Sequence, residues 1–308
     1  MKKSLTLAVS PHIHSGRSTS RIMLDVIIAL LPAAVAGSVI FGLRALLVLA
    51  VTVASAVGFE ALYNVIVKRE QTVGDLSAAV TGLLLGLNLP ANVPLWQCVI
   101  GSLFAVIVVK ALFGGLGCNP VNPAITARVF MLVSFGSMTV AAYPTVVDTV
   151  AGATPLASET ATSLKDLFLG LHGGAIGETC ALALLVGLAY LLIRRVITWQ
   201  IPVTFVGSVF LLSFFLEGMD LTAATAAILS GGLLIGAIFM ATDYVTSPAT
   251  AWGKVIFGVG AGLLTVLIRY FGMYPEGVSF AILLMNILTP YIDSWTKRRV
   301  FSVGGKKA

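Results

Sequence analysis

Along the chain, long apolar stretches alternate with short polar or Gly- and Pro-rich breaks. Ten of these stretches read as helices of membrane-crossing character, bounded by helix-breaking residues. The first spans 23–41 and the second 45–67. A shorter third covers 76–89 and stops at Pro90. The fourth covers 93–109, and the fifth, 124–140, follows the kinked sequence GGLGCNPVNPA. A polar stretch runs from Tyr143 to Gly177. Five more apolar segments follow, at 178–193, 202–216, 222–240, 255–270 and 278–292. The pattern predicts an all-α polytopic membrane protein of about ten transmembrane helices.

Composition excludes a soluble domain. Charged residues make up 10% of the chain and hydrophobic residues 58%, with a mean hydropathy of +1.00. A soluble domain carries roughly 25% charged residues, and without them large apolar patches would face water. The formal net charge of +6 does not mark a nucleic-acid binder, because the basic residues sit at the chain ends and in short loops. With the N-terminus inside, the cytoplasmic ends receive Lys68, Arg69, Lys110, Arg194, Arg195, Lys254 and the tail Lys297, Arg298, Arg299, Lys306 and Lys307. The opposite side receives the Glu217–Asp220 turn and Glu276, with Arg44 and Lys165 as exceptions. This bias follows the positive-inside rule and puts both termini in the cytoplasm, with the loop holding Thr154 outside. The opening residues lack the continuous apolar run and cleavage site of a signal peptide, and residues 1–22 read as a cytoplasmic arm.

The segment GLLLGLNLPANVPLW, ending at Trp96, has a counterpart in GGLLIGAIFMATDYVTSPATAW, ending at Trp252. Each is followed by an apolar span and then by FGG (Phe113–Gly115) or FGM (Phe271–Met273). Two five-helix repeats are therefore expected, at 23–140 and 178–292, inverted relative to each other as in many transporters. They flank an outer loop at 141–177, and a basic tail at 293–308 closes the chain. Both repeats are interrupted at Gly and Pro, and interrupted helices must be buried in protein or line a cavity. Asn88, Pro90, Asn119, Pro120, Asn122, Pro123, Asp243, Thr246 and Pro248 are thus candidates for the centre of the molecule.

Ionisable residues at membrane depth are candidate functional groups. Arg128 follows NPVNPA inside the fifth segment and suits a bound anion or a carboxylate, which makes it, with Asn119 and Asn122, a candidate cofactor-binding residue; the alternative is a helix-end arginine at the cytoplasmic face. Asp25 and Asp75 each open an apolar segment, where helix capping accounts for them. Glu60 lies deeper in the second segment, and Asn286 in the last is placed to pair across helices. Cys98, Cys118 and Cys180 form no metal-ligand pattern and read as packing residues. His12, His14 and His172 share no metal site, and no span contains a histidine to hold a haem. Recognised nucleotide, zinc-hydrolase and serine-hydrolase motifs are absent.

The polar stretch includes VVDTVAGATPLASETAT, which by residue chemistry alone is a loop with a threonine before a proline. Together with SPHIHSGRSTSRIMLDVIIALLPA, GDLSAAVTGLLLGLNLP, KALFGGLGCNPVNPAITARVF and YVTSPAT, it resembles the RnfD and NqrB family over nearly the whole chain, and the length suits the RnfD branch. The resemblance implies covalent FMN on the terminal threonine of a D-x-x-S/T-x-A-T pattern, here Thr154, with Asp148, Gly152 and Ala153 as matching residues. The serine or threonine expected three residues earlier is Ala151. The resemblance also implies a flavoprotein subunit of an ion-translocating ferredoxin:NAD⁺ oxidoreductase in a bacterial or archaeal cytoplasmic membrane, inactive alone. Its partners would be the A, B, C, E and G subunits of that complex, a flavin transferase for maturation, and membrane lipid. NqrB members of the family also hold a non-covalent riboflavin, a further expectation here. A Na⁺ path is expected near Asn88, Asn119, Asn122, Asp243 and Thr246, with H⁺ as the other coupling ion. The competing readings are a non-redox transporter of small solutes and a purely structural membrane subunit.

Overall fold

The computed structural model describes residues 18–139, 142, 144, 163–272 and 277–297. The regular elements among them are helices, with one isolated bridge between Ala142 and Gly174. Ser18 caps α1 (Thr19–Phe41) through a bond from the Arg21 amide. Gly42, at φ 74°, turns the chain into α2 (Leu43–Ile66). Next come α3 (Ser77–Leu87) and α4 (Leu95–Ala111), whose last part, Phe104–Ala111, winds as a π-helix. Asn122 caps α5 (Pro123–Ser134), and Pro123 takes the first helical position, where its missing N–H costs nothing. Short α6 (Leu164–Leu169) lies in the polar stretch. The remaining helices are α7 (Ala181–Ile193), α8 (Gln200–Leu216), α9 (Leu221–Leu229), α10 (Leu233–Met240), α11 (Ala251–Phe271) and α12 (Val278–Thr296).

All ten apolar stretches contain helix, but their continuity differs from the expectation. By length and composition, α1, α2, α11 and α12 can cross a membrane, and α9 with α10 makes a fifth candidate bent by 63°. The other apolar helices, α3, α4, α5, α7 and α8, have 10–17 residues. Segment 222–240 is therefore not one straight helix. Gly231 and Gly232 adopt φ 70° and 67° and break it, a conformation L-residues rarely take. The fifth segment also ends early, because Phe135 is extended and a 3₁₀ turn, Gly136–Thr139, follows.

Helix pairs α2·α3, α2·α4, α8·α11, α11·α12 and α1·α7 form the main packing. Small residues let their backbones approach, which is how helices associate where lipid supplies no hydrophobic drive. A Cβ on Gly262 would collide with Ser208 Oγ, and one on Gly258 with Thr204 Oγ1. Gly187 lies against the carbonyl of Ala29 across α1 and α7. Leu30, Leu85, Ile125, Leu184, Phe205 and Phe257 fill the shared core.

Candidate functional site

The two interrupted segments meet at the centre. Asn122 is buried and uses both ends of its amide. Its Oδ1 accepts from the Ala124 and Ile125 amides at 3.0 and 3.3 Å, and its Nδ2 donates to the Met240 carbonyl at 3.2 Å. Asn88 Nδ2 donates to the Leu84 carbonyl and reaches Met240 Sδ at 3.5 Å. In the orientation that satisfies its amide, Asn286 accepts from the Asn122 amide at 3.1 Å and donates to the Thr246 carbonyl at 3.3 Å. Thr289 Oγ1 also donates to that carbonyl, at 2.9 Å. The expected cross-helix pairing of Asn286 is thus present. The end of α10, the start of α5 and the middle of α12 are stitched by side-chain amides that take up orphaned backbone groups, as an interrupted helix in a membrane requires.

Beside this junction a cavity encloses about 790 Å³ of empty space, its open mouth included. Asn119, Asn122 and Asp243 line it, together with Ser77, Thr81, Lys110 and Thr242. Asn88, Thr246 and Arg128 are buried but are not in its wall. Asp243 accepts from the Val245 amide and from Thr246 Oγ1, at 3.3 and 3.2 Å. Pro90, Pro123 and Pro248 are buried, whereas Pro120 is exposed at the surface and leaves the set of central residues.

A second cavity, with about 640 Å³ of empty space when its open mouth is included, is lined by Glu60, Asn64, Arg69, Thr72, Asp75 and Lys110 among others. Lys110 and Leu116 border both cavities. Lys110 Nζ lies 3.0 Å from Glu60 Oε1 and donates to Ser77 Oγ at 2.6 Å. Thr72 Oγ1 donates to the same Glu60 oxygen at 2.9 Å and accepts from Asn64 Nδ2 at 3.0 Å. Sequence reasoning singles out Glu60 but takes Lys110 for a loop charge. The available signal is that Lys110 ends an unbroken apolar run, where a charge must find a partner.

Asp25 does not cap α1, contrary to expectation. It accepts from Tyr190 Oη at 3.0 Å and from Arg194 Nε and Nη2 at 3.3 and 3.2 Å, tying α1 to the end of α7. Cys118 is exposed, so it does not pack, while Cys98 is buried. Asp75 does serve a helix start, accepting from the amide and hydroxyl of Ser77. On α11, Arg269 donates to the carbonyls of Ala227, Ser230 and Gly231 at 2.7, 3.1 and 3.0 Å, clasping the α9–α10 break. His172, between α6 and α7, is buried. Desolvation pushes its imidazole below the usual range, against smaller opposing effects from hydrogen bonding at Gly173 and Thr179 and from Asp166. Asp148, Gly152, Ala153 and Thr154 lie outside the described residues, as do His12 and His14.

The model of the NQR2, RnfD, RnfE family matches residues 6–302. The chain belongs to this family. It is 48% identical to the D subunit of the Na⁺-translocating ferredoxin:NAD⁺ oxidoreductase complex of Acetobacterium woodii, over 97% of this chain and 96% of the relative. It is 41% identical to the D subunit of the proton-translocating ferredoxin:NAD⁺ oxidoreductase complex of Clostridium ljungdahlii, over 96% of each. A relative in Escherichia fergusonii, the D subunit of an ion-translocating oxidoreductase complex, is 38% identical over 96% of this chain and 97% of its own. The paired cavities and the buried Glu60–Lys110 pair place ionisable groups inside an otherwise apolar bundle, where such groups are candidate functional sites.

Proposed function

We propose that this chain is the membrane-embedded D subunit of a redox-driven ion pump of the ferredoxin:NAD⁺ oxidoreductase type, and that it carries FMN as a phosphoester on Thr154. The observation that carries the subunit reading is similarity over nearly the full length to relatives named as D subunits of such complexes, and the flavin rests on the resemblance of the DTVAGAT loop. Those two relatives are named for different ions, so the coupling ion here is Na⁺ or H⁺. The flavin would supply the electron chemistry, and the protein its position and electrostatics. Thr154 offers the acceptor hydroxyl and is not an acid or base in the reaction. The subunit works with A, B, C, E and G partners and needs a flavin transferase to mature.

In this reading the chain sits in the cytoplasmic membrane as two inverted repeats. Supporting this, Asp25 near the start of α1 bonds Arg194 just beyond the end of α7, so these equivalent helices run in opposite directions. Likewise Lys110 at the end of α4 and Lys254 at the start of α11 both fall at the end given to the cytoplasm. Exposed Trp199, Trp252 and Trp295 lie at helix ends, as does Trp96 at the start of α4, where tryptophan suits either membrane interface. The break residues Asn119, Asn122 and Asp243, with Asn88 and Thr246 behind them, border the ion path. Neutral amide and carbonyl oxygens suit a hard cation.

The test is to express the chain with its flavin transferase, run a denaturing gel under ultraviolet light and map the peptides by mass. A fluorescent band that disappears in Thr154→Ala is the expected result. A dark band and an unmodified Thr154 peptide, beside an active transferase, would refute the flavin assignment and bring forward a non-redox solute transporter.

A further inference from the structure

Lys110 is held where a charge is costly. Its side chain and that of Glu60 are only 4% and 8% exposed, and their charged atoms are 3.0 Å apart. Removing two charges from water costs several kcal/mol per ion even after relaxation. A pair kept at that cost inside an apolar bundle is a functional candidate. Glu60 Oε2 is buried and has no hydrogen-bond partner. Half of the carboxylate is therefore ready for a further cation.

Geometry makes the pair a partition. Glu60 lines only the second cavity, Ser77 only the first, and Lys110 lines both. The ammonium bonds to Glu60 on one side and to Ser77 on the other. It thus stands between the two cavities, with Leu116 the other residue that borders both. Its placement depends on the π-helical turn Phe104–Ala111. A single extra residue in a helical turn rotates the rest of the helix by roughly 100°, and such turns recur at functional sites.

We propose that Lys110 is a tethered-cation plug between the two cavities, and that a small hard monovalent cation displaces it by binding the Glu60 carboxylate. This deepens the ion-pump reading and rests on it. Charge balances in the exchange. The incoming Na⁺ or H⁺ neutralises Glu60, and the lysine ammonium swings toward the first cavity, whose wall includes Asp243. With the ammonium away, the cavities are joined; when the cation moves on, Lys110 returns and closes the way back. Lysine suits this task because its charge is compact and rides a flexible stem.

The experiment uses the purified whole complex with the wild-type chain, Lys110→Met, Glu60→Gln and the double variant. NaCl is titrated against choline chloride at constant ionic strength, with thermal stability as the readout. In parallel, a pH titration follows the infrared carboxylic-acid band. Removing a competitor tethered at the site should lower the half-maximal Na⁺ concentration roughly tenfold in Lys110→Met, and Glu60→Gln should abolish the response. In a proton-coupled complex, the Na⁺ response would be absent, and a carboxylic-acid band lost in Glu60→Gln would appear at higher pH in Lys110→Met. The double variant removes both charges together and should fold, since a buried pair replaced as a unit is tolerated better than one broken. If Lys110→Met does not assemble, Lys110→Ala in the Glu60→Asp background keeps the carboxylate and takes its place. Unchanged Na⁺ and proton dependence in a folded Lys110 variant would overturn the plug, even with pumping intact. Loss of electron-driven ion transport in the wild-type complex would instead strike the underlying reading.

Discussion

Asn122 offers a direct measure of the forces that hold the centre together. It performs two separable tasks: its Oδ1 caps α5, and its Nδ2 bridges to the Met240 carbonyl. Replacing a capping asparagine by alanine costs about 1 kcal/mol. A side-chain hydrogen bond between membrane helices averages about 0.6 kcal/mol and reaches about 1.7. Asn122→Ser keeps a capping oxygen and loses only the bridge, so it should cost ~0.6–1.7 kcal/mol. Asn122→Ala loses both and should cost ~1.6–2.7 kcal/mol. The bond from the Asn122 amide to Asn286 is backbone and survives both changes. Reversible unfolding of the subunit in mixed dodecylmaltoside and SDS micelles gives the two differences. Equal losses for serine and alanine would show that the cap contributes nothing. Wild-type stability for both would refute the stitched junction altogether.

The folded state holds His172 with its imidazole depressed below the usual value of 6.5, so the unfolded chain takes up its proton first as pH falls. The stabilising effect of keeping it neutral is complete above about pH 6.5 and declines as pH drops below it. His172→Gln should flatten that limb of a stability–pH curve, and an unaltered slope would refute the assignment. At the α8–α11 contact, Gly262→Ala should cost ~2 kcal/mol, an overpacking penalty of up to about 3 less about 1 for the better helix former. Adding Ser208→Gly should recover most of that loss in the same unfolding assay, and no recovery would mean that the clash lies elsewhere.

Much of the helical framework is legible in the chain. Apolar runs ending at Pro90 or opening at NPVNPA are visible because Pro and Asn punctuate them, and α3 and α5 begin or end within a few residues of those marks. The break between α9 and α10 is not legible. Ser230, Gly231 and Gly232 sit inside a run that is apolar on both sides, and it is the positive φ angles of the two glycines that stop the helix. Glu60 is visible as an oddity, but its partner lies 50 residues away, and its approach depends on a π-turn that no hydropathy pattern encodes. Asp25 misleads for a related reason. A carboxylate near a helix start suits the dipole, and only the arrival of Arg194 and Tyr190 from α7 shows a tie between helices. The loop proposed to carry flavin is marked only by its resemblance, since a threonine before a proline carries no chemistry of its own.

The arginine clasp on the α9–α10 break has a consequence for biogenesis. Its three carbonyl acceptors leave the ribosome 42, 39 and 38 residues ahead of Arg269. At about 5–20 residues per second, that is an interval of roughly 2–8 s. During it, the interrupted segment has backbone groups that lipid cannot satisfy. The nascent α9–α10 segment must therefore wait beside the insertion machinery or at the headgroup layer until α11 is made. The last third of this subunit would then enter the bilayer as a preassembled unit, rather than one span at a time.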